Sequence, residues 1–328
     1  MEDTQKQNVI KQIIGEISKS SLIAIAGHVS PDGDAVASCL ALAMSLNKLG
    51  KKVVVLLEEI PKRYDFIRGS ELVHSEGLSD LAPDLFICCD CGAKDRMGRF
   101  EKIFDKTDMT IVIDHHISNI GYGEINYVDA KASSASEMIY DIVEQIGNMD
   151  IDIASALYMG IIFDTGGLRF KSTSPATMIK VAKLMEYGIP FNTIYTSIML
   201  THTYTEAMIL SKAISKMKFM EGLPVTYTYL TKEDMESVGA TRANLEGICE
   251  YLLNTKGSEV GVFVSSFGEK ESKASFRSLE FDVNLLASHW GGGGHRNAAG
   301  TTIKMEPEEA LKAVLEHIAE RYNDANGV

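Results

Sequence analysis

LIAIAGHVSPDGDA, residues 22–35, is the stretch whose reading decides the fold. Its first half, LIAIAGH at 22–28, is a short apolar run without alternation. It is closed by the turn formers Ser30, Pro31, Asp32 and Gly33. That combination predicts a strand buried on both faces, followed by a tight turn. Helical periodicity then runs through 35–49 and stops at Gly50, and KKVVVLL at 51–57 begins a second strand. A strand, a helix and a strand with near-continuous apolar strands indicate a parallel sheet covered by helices on both sides.

Working outward, the same texture recurs. Val9, Ile10, Ile13, Ile14 and Ile17 mark a helix over 4–20. DLFICCD at 84–90 and MTIVID at 109–114 are further strands, and each ends in aspartate. Helices follow at 133–147, with Ser134 and Glu137 spaced as a capping box, at 151–165, and at 173–188 between Ser174–Pro175 and Gly188. Residues 189–221 remain helical. From about 222 half-buried strands take over, at 223–231, 259–267, 272–278 and 300–305, before a last helix at 308–322. The expected fold class is α/β. A parallel-sheet domain spans 1–190, a helical connector 191–221, and a smaller mixed-sheet domain 222–328.

A chain of 328 residues with 45% hydrophobic and 23% charged side chains can bury about three quarters of its surface, which excludes disorder and a disulfide-held miniprotein. The formal charge of −13 supplies no long-range attraction for long duplex DNA. Five cysteines, four of them before residue 92, form no paired framework and read as buried thiols. No run of 18 apolar residues occurs, so a cytoplasmic protein without membrane contact is expected.

The chemistry gathers at element ends. GHVSPDGDA carries His28, Asp32 and Asp34; FICCDCG carries Asp90; VIDHH carries Asp114, His115 and His116; GIIFDTGG carries Asp164. Ligands of open α/β sheets bind beyond the carboxyl ends of the strands. Each residue alone has a plain structural reading, since aspartates form turns and cap helices. Four separate ends bearing the same residue types are not explained that way. Carboxylates so gathered repel one another unless cations intervene, and mixed carboxylate and imidazole ligation suits manganese, iron or zinc better than calcium. His28, Asp32, Asp34, Asp90, His115 and Asp164 are six ligands, enough for two ions. In the second domain HWGGGGHRNAAGT, 289–301, places Gly291–Gly294 before His295 and Arg296. Its exposed N–H groups suit a phosphate, with Gly293 expected to need close approach or a positive φ. Arg277 on a predicted strand offers a planar fork for phosphate.

GHVSPDGDA, FICCD, VIDHH and FDTGG, followed by SFRS and GGGGHRNAAG, resemble the DHH phosphoesterases with their associated DHHA1 domain, in order and spacing, over residues 15–320. The short oligoribonucleases, 3′-phosphoadenosine 5′-phosphate (pAp) phosphatases and stand-alone cyclic-di-AMP phosphodiesterases are the similar members. The resemblance implies two Mn2+ ions, other divalent metals being open. His28, Asp32 and Asp90 would hold one ion. Asp34, Asp90, His115 and Asp164 would hold the other, with Asp90 bridging. His116 would lie near the substrate as a catalytic group beside Asp90 and Arg277, with Asp114 supporting the His115 region. Arg277, Gly292, Gly293, Gly294, His295 and Arg296 would hold the substrate in a cleft between the domains. The implied reaction is hydrolysis of short oligonucleotides (nanoRNA) or small nucleotides to 5′-phosphate products. Cyclic-di-AMP or pApA is the alternative substrate, a non-catalytic nucleotide sensor is the alternative class, and a homodimer is left open.

Overall fold

The computed structural model describes residues 3–75, 78 and 81–326. The chain divides into two compact units, Met1–Thr201 and His202–Val328. The helical stretch expected as a separate connector is shared between them. Its first helix belongs to the first unit and its second to the other.

Among the described residues the first unit runs α1 (Asp3–Lys19), β1 (Leu22–Ala26), α2 (Gly33–Lys48), β2 (Lys52–Leu56), β3 (Leu85–Cys89), α3 (Glu101–Phe104), β4 (Thr110–Asp114), β5 (Ile125–Val128), α4 (Ala135–Ile146), α5 (Ile151–Asp164), α6 (Pro175–Met185) and α7 (Phe191–Tyr195). The strands lie in the order β2-β1-β3-β4-β5, all parallel. β3 and β4 are buried along their whole length, which is why their sequences carry no alternation. The edge strand β5, INYV, is only four residues long and includes a polar Asn126, so no apolar run announces it. From β1 the chain steps to β2 on one side, then to β3 on the other. The carboxyl ends of β1 and β3 therefore flank the topological switch point, where open α/β sheets keep their ligand crevice.

Helices α2 and α5 are apolar nearly all round and lie in the main core with Ile10, Ile13 and Ile17 of α1. Phe86, Met97, Phe100 and Phe104 fill a second cluster. Ser134 caps α4 by accepting from the Glu137 amide at 3.0 Å. The reciprocal half of the expected box is displaced by one residue. The Glu137 carboxylate accepts instead from the amide and hydroxyl of Ser133, and also from Thr177 Oγ1.

The second unit comprises α8 (Tyr204–Ser215), β6 (Lys218–Phe219), β7 (Val225–Leu230), α9 (Lys232–Glu236), α10 (Ile248–Leu253), β8 (Val260–Gly268), β9 (Glu271–Ser278), α11 (Val283–Ser288), β10 (Gly293–His295), β11 (Ala298–Ile303) and α12 (Pro307–Asn326). Its sheet has the order β10-β11-β9-β8-β7-β6 and is mixed, since β7 and β8 are parallel and the other pairs antiparallel. Alternating burial along β9 matches the half-buried pattern of its sequence.

Candidate active site

Each sequence-predicted ligand of the first unit sits at the end of an element. His28 follows β1, Asp32 caps α2 by accepting from the amides of Asp34 and Ala35, and Asp34 lies in the first turn of that helix. Asp90 follows β3 at φ 53°, a left-handed conformation that a non-glycine residue rarely adopts. His115 and His116 follow β4, and Asp164 ends α5.

The structure brings these side chains together. His28 Nε2 lies 3.7 Å from Asp32 Oδ2 and 3.8 Å from Asp90 Oδ2. His115 Nε2 lies 3.5 Å from Asp90 Oδ1 and 3.1 Å from Asp164 Oδ2. Donor atoms about 2.1 Å from a shared ion are separated by about 3.0–3.5 Å, so these spacings are near those of ligands around a cation. Three groups of donors fall within 4.8 Å of one another: His28 with Asp32 and Asp90; Asp34 with His115 and Asp164; Asp90 with His115 and His116. Asp90 directs one oxygen toward each of the first two groups. Its Oδ1 is buried without a hydrogen-bond partner, as a carboxylate oxygen meant for a cation would be. Among the described residues none of these groups includes a cysteine, and all five cysteines are free and buried.

The electrostatics follow from crowding. Burial, then the charges of Asp90 and Asp164, push the Asp34 carboxyl well up, and burial raises Asp90. Burial pulls the histidines the other way, but their carboxylate partners prevail. His28 is pushed up to about 9, chiefly by Asp32 and the Val29 carbonyl, and His115 to about 11 by Asp164 and Asp90. Imidazolium protons thus stand where divalent cations would relieve the same repulsion. The residues fit such ions. His28 Nδ1 donates to the Val29 carbonyl at 2.8 Å, the tautomer that keeps a lone pair on Nε2 toward the cluster.

Asp114, expected to support the His115 region, bonds there to the neighbouring imidazole and to Asn119. Fully buried, it accepts from His116 Nδ1 at 2.7 Å and from Asn119 Nδ2 at 2.6 Å. The hydrogen bond to Asp114 raises the His116 pKa. Asn119 also donates to the Cys91 carbonyl, which ties this loop to the Asp90 turn. Asn119 carried no sequence signal beyond its place four residues after His115. Arg96 was missed as well; its Nη2 lies 3.3 Å from His28 Nδ1.

In the second unit the glycine run is not an open nest. Gly293–His295 is the edge strand β10, paired with Gly300, Ala299 and Ala298. Gly292 and Gly294 are held by contact: a Cβ on either would meet backbone at 2.4 Å and 2.5 Å. Gly293 has neither constraint, since its Cβ would meet nothing nearer than 3.7 Å and its φ is not positive. Ala298 pairs with His295 on one side and Arg277 on the other, so the three share one row and one face of the sheet. Arg277 donates Nε to Glu250 at 2.6 Å and Nη1 to the Phe276 carbonyl. It lines a cavity of about 480 Å3 with Lys273, Ser275 and Arg242. Arg296 stands at the turn and donates to the Glu280 carbonyl.

Two family models match the chain: the DHH family N-terminal domain over residues 22–161, and the DHHA1 domain over residues 222–324. The bifunctional oligoribonuclease and PAP phosphatase NrnA of Thermus thermophilus is 28% identical over 322 residues, covering 96% of this chain and 95% of its own. The protein of the same name from Bacillus subtilis is 26% identical, covering 95% and 99%. The crystal structure of an exopolyphosphatase-related protein from Bacteroides fragilis superposes with a TM-score of 0.90 at 27% identity, over 97% of both chains. No helix among the described residues is long and apolar enough to cross a membrane.

Proposed function

The chain belongs to the DHH family of phosphoesterases, its DHH domain followed by a DHHA1 domain, and from that premise we propose that it hydrolyses phosphoesters of short oligonucleotides and small nucleotides with two divalent cations, Mn2+ in the first place. The observation that carries this reading is charge balance around Asp90. Asp32, Asp34, Asp90 and Asp164 offer four negative charges in two groups, and the two oxygens of Asp90 divide between them. Two divalent cations neutralise that set.

Ions so held supply Lewis acidity toward phosphoryl oxygens and bring a water near neutral pKa. The chain's own residues do the rest. His116, bonded through Nδ1 to buried Asp114, keeps Nε2 for the substrate and is the group placed to protonate the leaving oxygen. Asn119 fixes Asp114, and so the imidazole. In the second unit, two bonds from Arg277 leave donors of its five-donor fork for a phosphate. Gly292–Gly294 with His295 and Arg296 form the edge that meets the nucleotide. Attack on a diester by this route leaves a 5′-phosphate and a free 3′-hydroxyl. The names of the Thermus and Bacillus relatives favour short RNA and pAp as substrates.

The test compares rates on a ribodinucleotide, pAp and cyclic-di-AMP before and after chelation. Chelated protein should be inactive, Mn2+ should restore it, and the first two substrates should react fastest. Full activity in chelated protein overturns the metal reading. Tight nucleotide binding without turnover would make the protein a sensor.

A further inference from the structure

Asp34 is held in an unusual way. It is fully buried, and both its oxygens accept from the first amides of α4: Oδ2 from Ala135 at 2.6 Å and Oδ1 from Ser136 at 2.9 Å. These are N–H groups that a helix start leaves without intrahelical partners, and their positive end favours an ionised carboxylate. α5 packs against the same spot through Gly160. A Cβ at Gly160 would stand 2.0 Å from Ser136 Oγ, 2.7 Å from Ser136 Cβ and 2.7 Å from Asp34 Oδ1. Ser136 Oγ is itself buried without a hydrogen-bond partner, and it lies within this junction. Glycine inside an apolar helix costs about 1 kcal/mol relative to alanine, so its place in α5 calls for a local reason.

We propose that Gly160 and Ser136 are positioning residues for Asp34: the bare backbone of α5 lets the amino end of α4 close around the carboxylate and aim it at the cation shared with His115 and Asp164. This inference rests on the reading of Asp34 as a metal ligand. Each carboxylate oxygen keeps a lone pair after accepting one amide, so the cradle orients Asp34 without blocking it. Asp32 accepts from the backbone amide of Asp34, which a change in the aim of the Asp34 side chain leaves in place, so the group around His28 and Asp32 should survive loss of the cradle.

The test is Mn2+ stoichiometry by elemental analysis with the electron paramagnetic resonance spectrum of the loaded protein. Wild type should hold two ions and show their magnetic coupling. Gly160→Ala should bind the second ion about 10–100-fold more weakly, the usual cost of disturbing the support of a ligand, and show the spectrum of an isolated ion. Ser136→Gly in the Gly160→Ala background removes both Ser136 atoms nearest the new methyl and keeps the Ser136 amide, while the 2.7 Å approach to Asp34 Oδ1 remains, so it should recover part of the second-ion affinity and of the coupled signal. A general packing defect would not be repaired that way. Gly160→Ala protein with two coupled ions at wild-type affinity overturns the proposal. So does a double variant that folds and binds the second ion no more tightly than Gly160→Ala. If Gly160→Ala does not fold, Ala135→Pro decides instead: proline is tolerated at the first helical position and removes the amide that holds Asp34 Oδ2. Retention of two coupled ions there overturns the cradle, and loss of one supports it. Wild type that takes up no Mn2+ would overturn both this inference and the metal reading beneath it.

Discussion

Asp90→Asn should make the metal-free protein more stable and the metal-loaded protein less so. Asp90 Oδ1 is buried without a hydrogen-bond partner, and burial raises the carboxyl's pKa despite the neighbouring His115. An aspartate raised in the folded state opposes folding at pH values above its unfolded pKa, because the fold must hold a charge it disfavours. Asparagine keeps the shape, tolerates the φ of 53° better than alanine does, and removes the charge. Asparagine is still a buried polar group there, so what it recovers is the extra cost of the charge, about 1–3 kcal/mol. For a unit of this size that is a rise of about 2–12 °C in the Tm of the metal-free protein. Mn2+ at about 100 times its Kd stabilises wild type by about 2.7 kcal/mol for each ion, and the variant should lose most of that. Thermal scans with and without Mn2+ at pH 7.5 should therefore cross: variant above wild type without metal, below it with metal. Elemental analysis should show a loss of more than one ion for Asp90→Asn or Asp90→Ala. A variant that melts lower in both states, or gains as much from Mn2+ as wild type, refutes the shared-ligand argument.

Arg277→Ala should lower kcat/KM on a dinucleotide by about 10–1000-fold while sparing metal content, since a charge-assisted bond to phosphate is worth a few factors of ten. The loss on bis-p-nitrophenyl phosphate should be smaller, and equal losses on the two substrates would count against nucleotide reading by the second unit. Gly294→Val should disrupt the β10–β11 hairpin, because its Cβ meets Ala298 O, whereas Gly293→Val should stay within about 0.5 kcal/mol of wild type in urea unfolding. Glu137→Gln should cost about 1.5–3 kcal/mol at pH 7. Burial opposes the Glu137 charge, but Lys180, Ser133 and Thr177 hold its pKa below the usual value. The stability it gives is thus present above the unfolded pKa and lost as pH falls through the folded one, so the gap between variant and wild type should begin to close below the ordinary glutamate pKa of about 4.3 and vanish only below the lowered folded value.

The sequence made the parallel sheet legible because strands buried on both faces must be apolar throughout, and 22–28, 84–90 and 109–114 each stop at a charge. The candidate ligands drew attention by their gathering: any one aspartate could form a turn or cap a helix, as Asp32 does, but four element ends bearing carboxylates and imidazoles are not explained that way. β5 was not legible, since four residues on a sheet edge carry no period that distinguishes them from a loop. The glycine run was misread because glycine usually signals a loop. Here it makes a strand whose backbone crowds Ala298, Gly300 and Thr301, a property of the partner strand and not of the run. The displaced cap of Glu137 and the pairing of Asp114 with His116 depended on which neighbour the fold brought nearer, and spacing alone does not state that.

What unites the site is that its strained and crowded features converge on one charge problem. Asp90 occupies a left-handed turn, Asp34 is sealed under two helices, and His28 and His115 are pushed toward the protonated form. The buried, crowded carboxylates are unfavourable for a metal-free fold; the imidazoliums of His28 and His115 offset part of that cost below their raised pKa values, and cations at the switch point would take over that role. The protein as a whole carries −13, so an anionic substrate meets repulsion everywhere except where local positive charge is placed. In the first unit the candidate source of that charge is cations held by the clustered carboxylates and imidazoles. In the second it comes from Arg277, Lys273 and Arg242 around one cavity. Screening limits such charges to about 8–10 Å at physiological salt. A short nucleotide can be held by charge over that range, whereas a long polyanion would extend into the repulsive surface beyond it.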